Sequence, residues 1–411
     1  GMHLVTSLDV RIQGAAEAGL ATAVKSARAQ GYRADGGAAV VMDVNNGRVL
    51  AMASYPTYDP NIWEKGLTVA QAQDMYSAST YVPALSRPLQ GLFAPASTFK
   101  AISIFAAVKA GYNLNATYDC PGLYKVGNRE FTNYESKELG RMNLKTGIAV
   151  SCDTLWYKIA YAEWLKDGGL SPKSPSDFFF NAAHQFQLDK KTGIDLPGES
   201  YGRIPDREWK LNYWKQNKDF YCNYQSRAAK KDLTPFLIQL AKENCVDGGV
   251  LRAGDAVNFS IGQGDTVITP LKEAQVYAAI ANGGTLWQPL VAKAIVKTDG
   301  TIVKTFTPKV MGKVEADSTT FAWLKDALHQ VTINGTAAAD FIGFPVKVAG
   351  KTGTGEVFGL NSNGTKKNST SWFASFAPVD KPQYAVVVMV SQGGTGAAAA
   401  GVGARQIYNT I

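Results

Sequence analysis

The chain has 411 residues, enough for one large domain with a second, smaller part. Hydrophobic content of 45% and charged content of 18% are those of a globular protein with a sizeable core, which excludes a disordered chain. The net charge of +8 comes from scattered basic residues, so the composition argues against nucleic acid as a partner. No apolar stretch approaches the roughly 20 residues of a membrane span.

The first elements follow from apolar periodicity and turn residues. An apolar stripe predicts a helix over residues 7–30, with Ser7 as its cap. Two apolar runs at 39–44 and 48–53 then flank an Asn-Asn-Gly turn, which is a strong hairpin signal. Residues 55–93 contain four prolines and predict an irregular segment that could deliver a reactive residue.

A short motif, Pro95-Ala96-Ser97-Thr98-Phe99-Lys100, precedes an apolar helical run. The spacing predicts a helix start and puts Ser97 and Lys100 on one helix face. A serine hydroxyl is a weak nucleophile until a neighbouring base takes its proton, and Lys100 is placed to do so. The alternative, in which Ser97 caps the helix and Lys100 is solvated, stays open because Ser-x-x-Lys arises readily by chance.

The middle of the chain supplies a second serine. Small and apolar residues around Ser151 predict a helix, a loop and a helix, with Ser151 at the junction. Residues 175–245 are interpreted as helix-poor, and their aromatic side chains are expected to pack a loop-rich flap onto the body. Residues 270–282 predict a helix capped by Thr269 and ended by two glycines.

The C-terminal part predicts a helix over 318–332, strands near 346–353, 372–377 and 384–390, and a last helix over 397–408. Strands at both chain ends imply one sheet closed by distant segments. Lys-Thr-Gly occurs three times, and only Lys351-Thr352-Gly353 follows an apolar strand and continues as Thr354-Gly355. Glycines there allow a ligand close to the backbone, and the lysine and hydroxyls could bind a carboxylate.

Four cysteines and three histidines lack the spacing of a zinc site. Cys222 and Cys245 flank one polar segment and could form a disulfide in an oxidising compartment, a possibility that the sequence leaves open.

Together these motifs resemble those of the class B penicillin-binding proteins, the serine D,D-transpeptidases of peptidoglycan synthesis. Ser-x-x-Lys, Ser-x-Asp and Lys-Thr-Gly occur in that family's order. The more specific flanking phrases are 87–91, Thr-Gly-Ile-Asp-Leu-Pro-Gly-Glu at 192–199, Ser-Ile-Gly-Gln-Gly at 260–264 and the stretch 269–284. The resemblance covers nearly the whole chain.

The resemblance implies an α/β (α+β) fold of the beta-lactamase/transpeptidase type: a central antiparallel sheet flanked by helices, plus an all-helical subdomain. The sheet subdomain is expected over about 7–60 and 340–411, and the helical and loop-rich subdomain over about 61–339. The resemblance matches the transpeptidase domain only, so the family's membrane anchor and N-terminal pedestal are expected to lie outside this sequence. The implied location is the extracytoplasmic face of the cell membrane.

The resemblance also implies roles for the site residues. Ser97 would attack the carbonyl of a D-Ala-D-Ala stem-peptide terminus, Lys100 would act as base and Ser151 would relay a proton. The backbone amides of Ser97 and Thr354 would form the oxyanion hole. Asp153 and Lys351 are further implied catalytic residues, and the charge of Lys351 would help to depress the Lys100 pKa. The Thr352 and Thr354 hydroxyls, with Lys351, would hold the substrate carboxylate, and Gly353 is implied as a further substrate-binding residue. No metal or organic cofactor is expected. Beta-lactams would acylate Ser97, and a membrane glycan polymerase of the SEDS family is the expected partner.

Two departures from the family pattern matter. Asp153 stands where most relatives have asparagine, and an aspartate near Lys100 would raise the lysine pKa unless a cation neutralises it. Some elongation-type members also carry aspartate, so this residue hints at elongation rather than division. Ala96 replaces the usual glycine. The resulting sequence Pro-Ala-Ser-Thr-Phe-Lys also occurs in class D beta-lactamases and beta-lactam sensor domains. These two classes are therefore the alternatives to a transpeptidase.

Overall fold

The computed structural model describes residues 1–64, 66–229 and 233–411. The strands are β1 (Met2–Thr6), β2 (Gly36–Asp43), β3 (Val49–Tyr55), β4 (Tyr118–Cys120), β5 (Leu123–Val126), β6 (Arg129–Thr132), β7 (Gly140–Met142), β8 (Thr285–Trp287), β9 (Ala292–Lys297), β10 (Ile302–Thr305), β11 (Val310–Lys313), β12 (Ala349–Gly355), β13 (Thr370–Ala377) and β14 (Tyr384–Ser391). The helices are α1 (Val10–Ala29), α2 (Val69–Tyr76), α3 (Arg87–Gln90), α4 (Lys100–Lys109), α5 (Leu144–Ala149), α6 (Thr154–Lys166), α7 (Phe178–Gln185), α8 (Arg207–Cys222), α9 (Tyr224–Arg227), α10 (Pro235–Asp247), α11 (Ala253–Phe259), α12 (Pro270–Asn282), α13 (Ser318–Ile333) and α14 (Val402–Tyr408).

A five-stranded antiparallel sheet in the order β12-β13-β14-β2-β3 joins the two ends of the chain. Strands β2, β13 and β14 are buried along nearly their whole length, because helices cover the sheet. Helices α1 and α14 pack together against it, and α12 packs against β2, β13 and β14. A side chain at Gly19 would meet the Gly403 carbonyl oxygen at 2.7 Å, so glycine permits the close approach of α1 and α14.

This architecture confirms the predicted fold class, and the predicted hairpin, strands and helices near 270–282 and 318–332 are all present. The sheet strands fall within the predicted 7–60 and 340–411 segments, while the division into subdomains stays a prediction. The prediction of an all-helical subdomain is wrong, because short strand pairs β4–β7 and β5–β6 lie among the helices of the second part. No helix in the described ranges is both long and apolar enough to cross a membrane.

The predicted cap of the first helix is wrong by two residues. Asp9, not Ser7, is the N-cap, and its carboxylate accepts hydrogen bonds from the backbone N–H groups of Arg11 and Ile12. The Ser7 hydroxyl instead donates towards the carbonyl oxygens of Val49 and Leu290, at 2.6 and 2.9 Å. A carboxylate is the better N-cap because it only accepts hydrogen bonds and because its negative charge lies at the positive end of the helix dipole.

The prediction that residues 175–245 are helix-poor is also wrong, because this segment contains α7, α8, α9 and α10. Helix α8 has no fully buried residue, and its lysine-rich sequence is polar on average, which is why it resembles a loop in the sequence. Trp209 and Tyr213 stack one turn apart, and the Trp214 indole donates to the Asn244 carbonyl oxygen across to α10. The predicted flap at 205–245 includes 230–232, which lie outside the described residues, and its mobility stays a prediction.

Candidate active site

Ser97 lies on a 3-10 turn, Ala96–Phe99, which we call the nucleophile turn and which leads directly into α4. The predicted helix therefore begins at Lys100, three residues after Ser97. Ala96 has a φ of 52°, the left-handed region that favours glycine, which explains why glycine is usual here in the resembling family. No hydrogen bond within the described residues engages the half-buried Ser97 hydroxyl, so it is available as a nucleophile.

Lys100 is fully buried beneath this turn. Its Nζ atom donates to the Ser151 hydroxyl at 3.1 Å and to the Ser151 carbonyl oxygen at 2.9 Å, and it lies 2.5 Å from Asp153 Oδ1. Burial lowers the pKa of Lys100, and the Asp153 charge partly opposes that shift. The three residues that the sequence predicted to cooperate, Lys100, Ser151 and Asp153, are thus in direct contact.

Residues 150–153, which we call the Ser151 loop, connect α5 to α6 as predicted. Ser151 has a φ of 59°, which turns the chain sharply between the helices. The sequence analysis did not identify the groups that hold this loop. Asn133 Oδ1 accepts from the backbone N–H groups of Asp153 and Thr154, and Asn133 is itself almost fully buried. Asn133 therefore supplies the cap that starts α6, in the manner of an N-cap residue brought from another segment.

Two disulfides are formed. Cys222 and Cys245 are bonded, which confirms the possibility that the sequence left open. Cys120 and Cys152 are also bonded, a pair that the sequence analysis missed. Cys152 lies between Ser151 and Asp153, so this second disulfide ties the Ser151 loop to the end of β4. No spacing signal marked the pair, because 32 residues separate its members.

The third Lys-Thr-Gly lies on β12, the edge strand of the sheet, as the sequence predicted. Gly353 brings the strand against the nucleophile turn, since a Cβ there would lie 2.9 Å from the Pro95 carbonyl oxygen. The other two copies lie elsewhere, one on α5 and one in a loop where Thr192 donates to Glu199. The Trp372 indole on β13 donates to the Ala94 carbonyl oxygen at 2.9 Å and anchors the approach to the turn.

The free edge of β12 faces the nucleophile turn. Gln263 Nε2 donates to the Thr354 carbonyl oxygen at 3.2 Å, so this carbonyl points away from β13. The N–H and C=O groups of a strand residue point to the same side, so the Thr354 N–H also points to the open edge. That direction is the one an oxyanion hole requires. Gln263, which the sequence marked only as part of the phrase at 260–264, is thus a further residue of the site.

The two threonines of β12 have different environments. The Thr352 hydroxyl is paired with the Thr336 hydroxyl at 2.5 Å, and Thr352 is nearly buried. The Thr354 hydroxyl accepts from the Gly396 N–H at 3.3 Å, which leaves its own proton free to donate. Thr354 is half-buried, so its hydroxyl is the more accessible donor for a ligand carboxylate. Thr336 joins the site without any sequence signal.

Lys351 is the third ionisable group of the site, beside Lys100 and Asp153. It is fully buried, and its Nζ atom donates to the Thr352 carbonyl oxygen at 3.1 Å. Burial lowers the pKa of Lys351 well below its ordinary value, the positive charge of Lys100 lowers it further, and Asp153 opposes the shift. The site therefore holds two buried lysines and one carboxylate. Charge balance is reached when one lysine gives up its proton, and the proton belongs to the cluster rather than to one residue.

Residues 37–411 match the family model described as "Penicillin binding protein transpeptidase domain". The chain is 29% identical over its whole length to peptidoglycan D,D-transpeptidase MrdA of Escherichia coli K12 and covers 58% of that protein. It is 28% identical to MrdA of Haemophilus influenzae, with 91% of this chain and 52% of that protein covered. The chain thus spans about half the length of the curated relatives it matches.

Solved structures that resemble this chain point to the same family. Pseudomonas aeruginosa PBP2 in complex with WCK 5153 is 28% identical and matches all of this chain and 78% of its own, with a TM-score of 0.76. Helicobacter pylori PBP2, solved in a complex with MreC, is 25% identical and matches 99% of this chain and 63% of its own, with a TM-score of 0.74. These matches confirm the resemblance to the class B proteins of the PBP2 type that the motifs predicted.

Proposed function

We propose a function from one premise: the chain belongs to the penicillin-binding-protein transpeptidase domain family. The function is peptidoglycan D,D-transpeptidation through an acyl-enzyme on Ser97. The observation that carries the proposal is the position of Lys100, buried three residues after an unengaged serine hydroxyl and in contact with Ser151 and Asp153. A desolvated lysine is the base that activates a serine where no histidine is present.

In the acylation step, neutral Lys100 takes the proton of Ser97 as the serine oxygen attacks the carbonyl carbon between the two terminal D-alanines. A C–O bond forms and the C–N bond breaks. The leaving D-alanine amine receives its proton through Ser151, whose hydroxyl lies 3.1 Å from Lys100 Nζ. In the second step, the amine of a neighbouring stem peptide attacks the ester and releases Ser97, which recovers its proton.

The substrate is held by the free edge of β12. The backbone N–H groups of Ser97 and Thr354 stabilise the oxyanion, and the open direction of the Thr354 amide supports that role. The Thr354 hydroxyl and the Lys351 charge hold the terminal carboxylate, with Thr352 contributing through its pair with Thr336. Gly353 lets the nucleophile turn and the strand approach each other.

Asp153 departs from the asparagine of most relatives, and a second buried lysine, Lys351, is coupled to its charge. The charges of Lys100, Lys351 and Asp153 interact, so a single proton held on Lys351 balances Asp153 and leaves Lys100 neutral. Asp153 then orients the Lys100 amine, while burial keeps the lysine pKa below its ordinary value. The aspartate supports an elongation-type role.

Beta-lactams are proposed inhibitors that acylate Ser97 in place of the stem peptide. The proposed location is the extracytoplasmic face of the cell membrane, with a SEDS-family glycan polymerase as partner. Support comes from a solved peptidoglycan synthase complex, described as coordinating polymerization and crosslinking, in which a chain 26% identical to this one matches all of it with a TM-score of 0.75. The MreC complex of the H. pylori relative supports a multiprotein setting.

The proposed function is tested by intact-protein mass spectrometry after mixing with benzylpenicillin, followed over hours. The expected result is one stable adduct on the Ser97 peptide, together with release of D-alanine from a synthetic peptide ending in D-Ala-D-Ala when an amine acceptor is present. The Ser97→Ala protein should fold and form no adduct. A rapidly lost adduct would indicate a class D-like beta-lactamase, and a stable adduct without acyl transfer would indicate a sensor.

A further inference from the structure

A carboxyl group lies buried beneath the nucleophile turn and takes no part in the reaction described above. Glu273, in the first turn of α12, is 1% exposed, and its Oε1 atom is buried without a hydrogen-bond partner. An isolated buried carboxylate is costly, so such a group is retained in its neutral form unless a charge compensates it. Its surroundings therefore decide what it can do.

The hydrogen-bonding neighbour of Glu273 is the Thr98 side chain, which comes directly after the nucleophile. The Thr98 hydroxyl donates to the Pro95 carbonyl oxygen at 2.7 Å, and the Thr98 carbonyl oxygen accepts from the Tyr277 hydroxyl at 3.0 Å. Glu273 and Tyr277 stand one turn apart on α12 and contact the same threonine. Thr98 thus links the nucleophile turn to α12.

No cation compensates Glu273 within the part of the chain that the structure describes. The neighbouring Lys272 donates to Gln275 and interacts with Glu199, and Arg87 on α3, which packs against α12, interacts with Asp35. Tyr277 is the titratable group whose charge is coupled to that of Glu273. Burial raises the pKa of Glu273 to about 7, and the Thr98 hydrogen bond opposes this shift only in part.

We propose that Glu273 is a positioning residue for Ser97, which holds the nucleophile turn in its productive form through Thr98 only while its own carboxyl is protonated. This inference rests on the proposed acylation of Ser97 and adds a second proton-dependent group to it. Among the described residues, no hydrogen bond or ion pair joins Glu273 to Ser97 or to β12, so its effect on Ser97 passes through the turn.

The hydrogen-bond directions give the reason. A protonated Glu273 can donate to the Thr98 oxygen, which leaves the Thr98 hydroxyl proton for the Pro95 carbonyl oxygen. An ionised Glu273 is acceptor-only and draws that single proton to itself, so the Pro95 carbonyl loses its bond two residues before Ser97. Lys100 favours acylation at high pH because it must be neutral, whereas Glu273 favours low pH. The two effects are separable.

The experiment measures the rate of Ser97 acylation by benzylpenicillin from about pH 6 to about pH 9, for the unchanged protein and for Glu273→Gln. A glutamine amide donates at every pH, so it mimics the protonated acid. The expected rate ratio of variant to unchanged protein is near one at low pH and rises roughly 3- to 10-fold above about pH 7, the loss expected for one buried hydrogen bond. A ratio that is flat across this range would overturn the inference.

Two further variants serve as controls for this experiment. Asp340→Asn is the matched control: burial raises the pKa of that carboxyl to about 7 as well, but its buried Oδ2 has no partner and lies beside Gly401, not beside the nucleophile turn. Its ratio should stay flat, and a rise equal to that of Glu273→Gln would overturn the inference. In a Thr98→Val background, Glu273→Gln should no longer change the profile. Thermal unfolding of each variant checks folding.

The outcomes also separate this inference from the proposed function. If the unchanged protein is not acylated at any pH, the proposed function fails. If it is acylated and the Glu273→Gln ratio is flat, the proposed function stands and the positioning role is rejected.

Discussion

Two disulfide bonds cross-link regions of opposite character. Cys120–Cys152 ties the Ser151 loop to β4, and both of its cysteines are fully buried. Cys222–Cys245 joins α8 to α10, a helix pair that exposes aromatic and apolar side chains and in which Cys222 is itself exposed. The sequence separations of 32 and 23 residues are similar, so chain entropy gives each bond about 3.5 kcal/mol.

For the chemistry of the site, we expect the position of a cross-link to matter more than its strength. At the Ser151 loop, the bond lies within two residues of the groups that contact Lys100, and Asn133 holds the same loop through two hydrogen bonds. At α8 and α10, the cross-link joins two helices that are also held together by the Trp214–Asn244 hydrogen bond. Equal stabilisation should therefore have unequal effects on the chemistry.

The largest expected effect comes from removing the buried bond. In Cys120→Ala/Cys152→Ala, the free energy of unfolding should fall by about 3.5 kcal/mol. Acylation by benzylpenicillin should slow by at least about tenfold, because the displaced Ser151 loop no longer holds Ser151 and Asp153 on Lys100. Denaturant unfolding and stopped-flow acylation measure the two effects. Acylation at the unchanged rate in the folded variant would show that the disulfide does not position the loop.

Asp153→Asn removes the negative charge of the Ser151 loop but keeps a side chain of nearly the same shape. The amide oxygen can still accept from Lys100, but the negative charge that raises the lysine pKa is gone. Lys100 then loses its proton more easily, so the rising limb of the acylation profile should move to lower pH by on the order of one unit. At a pH below that limb the variant should be up to about tenfold faster. A limb displaced to higher pH would contradict the role of Lys100 as base.

Asn133→Ala tests the loop's hydrogen bonds with the disulfide intact. Loss of the amide leaves the N–H groups of Asp153 and Thr154 without their acceptor, which should cost about 1–3 kcal/mol of unfolding free energy. Acylation should slow by roughly 3- to 10-fold. Asn133→Asp keeps an acceptor oxygen but removes the Nδ2 donor from the Pro121 and Lys137 carbonyl oxygens, so it should recover the rate only in part. Equal rates for Asn133→Ala and the unchanged protein would mean that the disulfide alone holds the loop.

The smallest effect on activity is expected at the exposed bond. Cys222→Ala/Cys245→Ala should lower stability by up to about 3.5 kcal/mol but leave the acylation rate within about twofold. The loss should be local, so limited proteolysis should cut within 207–247 first while the rest of the domain resists. A drop in acylation as large as that of the buried pair would refute the distinction between the two regions.

Much of this protein was predictable from residue order. The hairpin around Gly47, the helix capped by Thr269 and the strand carrying Lys351 follow from local rules, because periodicity, caps and turn residues act over a few positions. Ser97 and Lys100 were identifiable because residues three positions apart lie on the same face of a helical turn. The family phrases supplied the order of the motifs, although the catalytic roles drawn from them stay predictions.

The remaining features of the site depend on the tertiary structure. The pairing of Cys120 with Cys152, the cap from Asn133 and the burial of Glu273 under Thr98 join residues far apart in the chain, and no local pattern encodes such contacts. Helix α8 was missed because its sequence is polar on average and none of its residues is buried, and its side chains pair with other segments, as Arg207 does with Asp177. Local propensity acts within a few residues, whereas a site that combines buried charges depends on where the whole chain places them.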